Sequence, residues 1–147
     1  IVLVLERMTQ KFMQVAKEKH VHLQFVSELL DDIMISVDED RIEQVLTNLI
    51  DNAIRHTPQD GTVTVSLTNE FSYAKISVSD TGVGIPKEDL PYVFERFYKA
   101  DKARTRSKGG TGLGLAIARN IVEAHGGNIK VDSVEKEGTS FTFYLPM

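Results

Sequence analysis

Residues 38–58, DEDRIEQVLTNLIDNAIRHTP, decide the architecture. Ile42, Val45, Leu46, Leu49, Ile50, Ala53 and Ile54 recur at the i, i+3, i+4, i+7 spacing that paints one face of a helix. Asp38 or Asp40 can cap its first turn. The helix should end near Thr57-Pro58, because the residue before a proline disfavours the α region. So regular a stripe must be covered by a second layer.

The flanking segments supply that layer. Upstream, Leu5, Met8, Phe12, Val15 and Ala16 form a helical stripe within residues 2–19. Val21, Leu23 and Phe25 alternate with His22, Gln24 and Val26 as a strand, and a second short strand is expected from Ile33 to Val37. Downstream, Val63, Val65 and Leu67 alternate with threonine and serine, and Ile76 and Val78 with serine. Asp60-Gly61 and the Asn69–Tyr73 region are their turns. Residues 81–111 read as a long loop with one short helix near 87–93, and such a loop is usually functional or mobile. A helix from about Leu113 to His125 stops at Gly126-Gly127, a glycine C-cap. Strands Ile129–Val134 and Ser140–Leu145 follow, joined at Glu137-Gly138. The expectation is a two-layer α/β sandwich: a mixed, mainly antiparallel sheet with helices on one face and a long lid.

The 147 residues suit one domain. A net charge of −4 argues against a nucleic-acid binder. The absence of cysteine removes disulfides, thiolate metal sites and cysteine nucleophiles. No apolar run reaches the ~20 residues that span a bilayer, and Ile1–Leu5 is too short for a signal peptide. The chain opens without methionine, as expected of a piece of something longer.

Three clusters carry candidate chemistry. Asn48 and Asn52 are four residues apart and share a helix face beside Arg55 and His56. Amides flanking an apolar stripe need partners. An Asn carbonyl oxygen suits Mg²⁺, which also keeps water and phosphate oxygens as ligands. In isolation, two solvated or capping amides are the commoner explanation. Asp80-Thr81-Gly82-Val83-Gly84-Ile85-Pro86 follows a strand, and Asp80 has the parity of Ile76 and Val78. Its carboxylate should point to the core side and needs a strong donor. A purine amino group would satisfy it, with glycines allowing close approach; a strand-ending Asx turn explains the motif equally well. Gly109-Gly110-Thr111-Gly112-Leu113-Gly114 opens the last helix. Inward-turned N–H groups at a helix start cradle phosphate, the alternative being a flexible hinge. Between the glycine clusters, Lys99, Lys102, Arg104, Arg106 and Lys108 against Asp101 give this run +4 and leave −8 on the rest. A basic lid on an acidic body suits a polyphosphate ligand or an acidic partner.

In this order, the clusters resemble the GHKL ATP-binding fold and, within it, the catalytic domain of sensor histidine kinases. Asn48–Asn52 with Arg55 and His56 resembles the N box, Asp80–Gly84 the G1 box, Phe94–Phe97 the F box and Gly110–Gly114 the G2 box. The likeness is strongest to OmpR-coupled kinases of Gram-positive bacteria, of the ResE type first and the WalK type second. It implies that Asp80 accepts from the adenine amino group, with water and Thr139 assisting. It implies Asn52 as ligand to Mg²⁺, helped by Asn48, and Arg55 beside the phosphates where lysine is usual. His56 replaces the more common tyrosine near the base. Gly82, Gly84, Ile85, Tyr98, Lys99, Gly110, Thr111, Gly112, Leu113 and Gly114 would shape the ATP pocket and its lid. Arg96, with Lys99 or Arg104, would neutralise the γ-phosphate during transfer.

The same resemblance implies partners: a dimerisation and histidine-phosphotransfer domain of the same protein, through which it is homodimeric, and a response regulator. The isolated domain is expected to be monomeric and to belong on the cytoplasmic side of a membrane sensor. The phosphoacceptor motif is missing around His20, His22, His56 and His125, so the acceptor histidine is expected upstream. Hydrolysing relatives place a glutamate base where Asn48 stands, and an amide takes no proton from water, so negligible ATPase turnover is expected. A hydrolysing clamp, a non-transferring nucleotide module and a serine kinase of the same fold are the rivals.

Overall fold

α2 (Glu39–His56) is the helix the sequence predicts. Asp38 caps it, accepting the Arg41 N–H at 3.3 Å, and Thr57 leaves it in an extended conformation. All seven apolar residues of the predicted stripe are buried, and the six larger than alanine are each worth about 1.5–3 kcal/mol when fully removed from water. The computed structural model describes residues 1–29, 33–96 and 113–147. Its other elements are α1 (Val2–Glu18), β1 (His22–Ser27), β2 (Thr62–Glu70), β3 (Tyr73–Asp80), a 3₁₀ turn (Leu90–Tyr92), α3 (Gly114–Ala124), β4 (Asn128–Val134) and β5 (Gly138–Pro146).

The sheet order is β1-β2-β3-β5-β4. β1 runs parallel to β2, with α2 between them in sequence, and the remaining pairs are antiparallel. Val63, Val65, Leu67, Ile76, Val78, Phe141 and Phe143 turn to the helical layer and form the core with α2 and α3. The alternate residues make a polar outer face. There Ser77 meets Thr142 at 2.9 Å and Ser79 meets Ser140 at 2.7 Å across the strands.

Two expectations need correction. Ile33–Val37 is not a strand. Its alternation is real, since Ile33, Ile35 and Val37 pack partly buried on the core while Met34 is 87% exposed. Period two reports side-chain burial, and among the described residues no strand pairs with this segment. In α1 the stripe is narrower than expected, for Val15 is 46% exposed. The α1 C-terminus does something the pattern could not announce. Lys19 Nζ donates to the Ile54 and Arg55 carbonyls at 2.5 and 2.7 Å, satisfying the unpaired end of α2 with a cation where the helix dipole favours one.

Candidate functional site

Asp80 ends β3 in the middle of the sheet, opposite Val63 of β2 and Thr139 of β5. It is only 9% exposed, as its parity predicts. Oδ1 accepts the Gly82 N–H at 2.9 Å and the Thr139 N–H at 3.3 Å. The first of these is an Asx turn, the structural reading of this motif. Oδ2 has no donor among the described residues. Burial pushes the carboxyl above its ordinary value, and the two backbone N–H groups oppose that rise.

The loop after Asp80 is clamped from two sides. A Cβ on Gly82 would lie 2.3 Å from the His56 carbonyl oxygen and 2.8 Å from Asp80 Oδ1, so only glycine lets the loop press onto the end of α2. The Val83 N–H reaches the same His56 carbonyl at 3.4 Å. On the other side stands the β4–β5 hairpin. The Lys136 N–H donates to the Val83 carbonyl at 2.6 Å, and the Ile85 N–H donates to Ser133 Oγ at 2.7 Å. Gly84 takes φ +73° with its α-carbon against the Val134 carbonyl, a conformation L side chains rarely adopt.

The other end of the site lies along α2. Asn48 Nδ2 donates to the Gly114 carbonyl at 3.0 Å, joining α2 to the first turn of α3; Leu113 is the residue just before it. Asn52 is half-buried one turn further on. Arg55 pairs with Asp51 at 3.1 Å in the same helix, and His56 has an exposed side chain. Asp80, Gly82, Gly84, Ile85 and Thr139 thus meet where the end of β3, the β4–β5 hairpin and the His56 end of α2 come together, while Asn48 and Gly114 meet two turns earlier on α2, with Asn52 between the two places in sequence. Arg96 is exposed, and no contact among the described residues joins it to this cluster. Tyr98, Lys99, Gly110, Thr111 and Gly112 lie outside the described residues. Among those described, no group of three or more His, Asp or Glu side chains could hold a metal ion.

Phe94 of the third motif packs edge to face on Phe141, with ring centroids 5.9 Å apart, and Arg119 of α3 lies 6.0 Å over its ring. This aromatic therefore anchors its segment on the core. Sequence reasoning missed Ser133. The available signal was parity, since Ser133 shares the side of Ile129 and Val131 in β4, where a polar residue needs a partner.

The histidine kinase-, DNA gyrase B-, and HSP90-like ATPase family matches residues 37–147. The sensor histidine kinase WalK of Bacillus subtilis is 52% identical over 136 residues, 90% of this chain and 22% of that protein. The sensor protein SrrB of Staphylococcus aureus is 43% identical over 146 residues, 99% of this chain and 25% of that protein. This chain thus spans about a quarter of these curated relatives. Among solved structures, the catalytic domain of histidine kinase ThkA aligns with a TM-score of 0.85 at 28% identity, over 99% of this chain and 91% of that one. ThkA in complex with the response regulator TrrA aligns with a TM-score of 0.81 at 26% identity, over 99% of this chain and 40% of that one. A nucleotide-family match over three quarters of the sequence, on a sheet that ends in a buried aspartate, settles the family: the chain belongs to the histidine kinase-, DNA gyrase B- and HSP90-like ATPases, as a catalytic domain of the sensor histidine kinase kind.

Proposed function

We propose that this domain binds ATP with Mg²⁺ and presents the γ-phosphate to a histidine on a helical dimerisation domain of the same protein, in two-component signalling. The observation that carries the reading is Asp80. It is a buried carboxylate with one oxygen taken by two N–H groups and the other without a donor among the described residues. A carboxylate oxygen can take further donors, and an exocyclic amine approaching over Gly82 would supply one.

Asn52 and Asn48 then serve the phosphate end. Their neutral amides fit Mg²⁺ only as minor ligands, with phosphate oxygens and water supplying the rest. When bound, that ion would offset charge on the β- and γ-phosphates. Arg55 is tied to Asp51, yet an i, i+4 pair with both side chains partly exposed is worth only a few tenths of a kcal/mol, so phosphate can draw it away. His56 borders the base end. Gly110, Gly112 and Gly114 shape the phosphate loop with Thr111 and Leu113. Tyr98 and Lys99, outside the described residues, are assigned to the nucleotide with them, and Arg96 to the γ-phosphate.

Of the described histidines, His125 is a poor acceptor itself. His125 uses both ring nitrogens, one on the Ile121 carbonyl at 2.8 Å and one on the Asp38 N–H at 3.1 Å. Asn48 offers no base for water, so transfer outcompetes hydrolysis. By analogy with ThkA and TrrA, the phosphohistidine passes its group to a response regulator. Among the described residues no helix is long and apolar enough to cross a membrane, and the domain belongs on the cytoplasmic side of a membrane sensor, monomeric when isolated.

Calorimetric ATP binding with and without Mg²⁺ tests the reading. Asp80→Ala should weaken ATP at least tenfold, and Asn52→Ala should abolish the Mg²⁺ dependence. Adding a phosphoacceptor helical domain and labelled ATP should give an acid-labile, histidine-linked label. Failure to bind ATP at millimolar concentration, or phosphate release at the rate of a hydrolysing ATPase, would overturn it.

A further inference from the structure

A helix ends with four carbonyls that have no intrahelical N–H to meet, and in α2 these belong to Ala53, Ile54, Arg55 and His56. Each has a partner. Ala53 accepts the Thr57 hydroxyl at 2.7 Å, and Ile54 accepts the Thr57 N–H at 3.3 Å. Lys19 Nζ, from the end of α1, donates to Ile54 at 2.5 Å and to Arg55 at 2.7 Å. His56 accepts the Val83 N–H at 3.4 Å, with Gly82 pressed against the same oxygen. The last turn of α2 is therefore held on one side by an ammonium and on the other by the loop that follows Asp80.

Local geometry aims Lys19 at that turn. α1 closes in a Schellman motif, with the Val21 N–H on the Ala16 carbonyl at 2.9 Å and the His20 N–H on the Lys17 carbonyl at 3.1 Å. The position where glycine is usual holds His20, left-handed at φ +60°. Its carbonyl accepts at 2.8 Å the N–H of Asp60, another left-handed residue, at φ +72°. Side chains persist in such conformations where their surroundings over-determine them. Two residues beyond Asp60, the Thr62 N–H meets Thr81 Oγ1 at 2.9 Å and the Thr62 carbonyl accepts the Thr81 N–H at 3.1 Å. Thr81 stands between Asp80 and Gly82. The end of α1 thus reaches the Asp80 loop twice, through the last turn of α2 and through Asp60 and Thr62.

We propose that Lys19 is a positioning residue for nucleotide binding. Its ammonium fixes the last turn of α2, so that the His56 carbonyl keeps the Gly82–Val83 loop, and with it the Asp80 carboxylate, where the base is met. Three hydrogens on Nζ allow both carbonyl bonds at once, and a cation suits the negative pole of the helix. Without that cation the turn frays and the loop resting on it shifts. This inference rests on Asp80 as the base-recognising group.

The test measures ATP affinity of the 147-residue chain by calorimetry, at a temperature where thermal melts show every variant folded. Lys19→Met keeps the stem and removes the donors, and should weaken ATP about fivefold, the worth of roughly one hydrogen bond. Lys19→Arg, which can donate to both carbonyls, should bind within about twofold of wild type. In a Gly82→Ala chain, whose loop is already pushed off the His56 carbonyl, Lys19→Met should cost less than about twofold more. Unchanged affinity in Lys19→Met, an arginine variant as weak as the methionine one, or a full fivefold effect in the Gly82→Ala chain would each overturn the proposal; the last would mean that the Lys19 charge acts on the nucleotide without the loop. Should the methionine variant not fold, Lys19→Gln keeps a neutral donor on a shorter stem and carries the same expectation. An Asp80→Ala chain that binds ATP like wild type instead sinks the underlying reading of the site, whatever Lys19 does.

Discussion

Gly82→Ala should cost both the nucleotide site and the fold, in amounts that the geometry sets. The added Cβ would sit 2.3 Å from the His56 carbonyl, about 1.1 Å inside the 3.4 Å at which ordinary contact begins. That carbonyl ends α2, a helix with seven buried apolar residues, so the loop must move rather than the helix. Displacing it by about 1 Å stretches the 2.9 Å Gly82–Asp80 hydrogen bond beyond its working range. A lost N–H to a charged acceptor is worth about 1.5–3 kcal/mol, and overpacking adds about 1–3 kcal/mol. With partial relaxation the loss in stability should be about 2–4 kcal/mol, a fall in Tm of roughly 5–15 °C for a domain of this size. Because the same shift moves the Asp80 carboxylate, ATP affinity should drop at least tenfold, about 1.4 kcal/mol. Calorimetric titration and thermal melting read the two effects. Gly114→Ala is the stability control: its Cβ would meet Asn48 at an ordinary 3.6 Å, and alanine in the first turn of α3 should raise Tm slightly. A Gly82→Ala chain that melts like wild type and binds ATP within twofold of it would refute the claim that close approach is why glycine stands there.

Two further outcomes follow from the packing. Burial raises the Asp80 carboxyl, so between its unfolded and folded pKa values the folded chain keeps a proton that the unfolded chain has lost, and stability falls as pH rises through that window. Asp80→Asn should therefore raise the Tm of the nucleotide-free chain at pH 7.5, with the gain shrinking as pH falls through the folded value; a gain independent of pH would contradict the burial argument. Phe94→Ala should cost about 2 kcal/mol in urea unfolding, since it loses both burial and the edge-to-face contact with Phe141, whereas Arg119→Ala should cost under about 1 kcal/mol. Equal losses would show that the ring is not the anchor.

The elements were legible wherever burial alone dictates periodicity. The α2 stripe, the alternation in β2 and β3, and the parity that turns Asp80 inward all follow from which side faces the core. Ile33–Val37 shows the limit of that logic, because alternation marks burial and says nothing of a backbone partner. Partnerships across the chain were not legible either. Ser133 bonds to Ile85, 48 residues away, and Lys19 caps carbonyls 35 and 36 residues away; no local pattern encodes such a match. Gly82 was recognised as permitting approach, but what it approaches, the end of α2, depends on how helix and sheet pack. The resemblance supplied roles for Asn48, Asn52 and Thr139 that spacing alone left open between ligand and solvent.

The site's dimensions follow from one helix. Asn48 is bound to the start of α3, and the carbonyl of His56 receives the loop that carries Gly82 and Val83. Eight residues separate them, about 12 Å along a helix rising 1.5 Å per residue. On the proposed reading α2 is thus a ruler between the phosphate end and the base end, and its buried stripe makes that ruler rigid. A rigid spacing explains how a small site can use single contacts at each end: the entropy of positioning them was met when the core formed. It also explains why Asp80 tolerates an unfavourable burial. On the proposed reading, a carboxylate in water would recognise an amine weakly, while one desolvated at a fixed distance from the phosphate end discriminates strongly, and the stability it forfeits is the reason Asp80→Asn should melt higher while binding ATP more weakly.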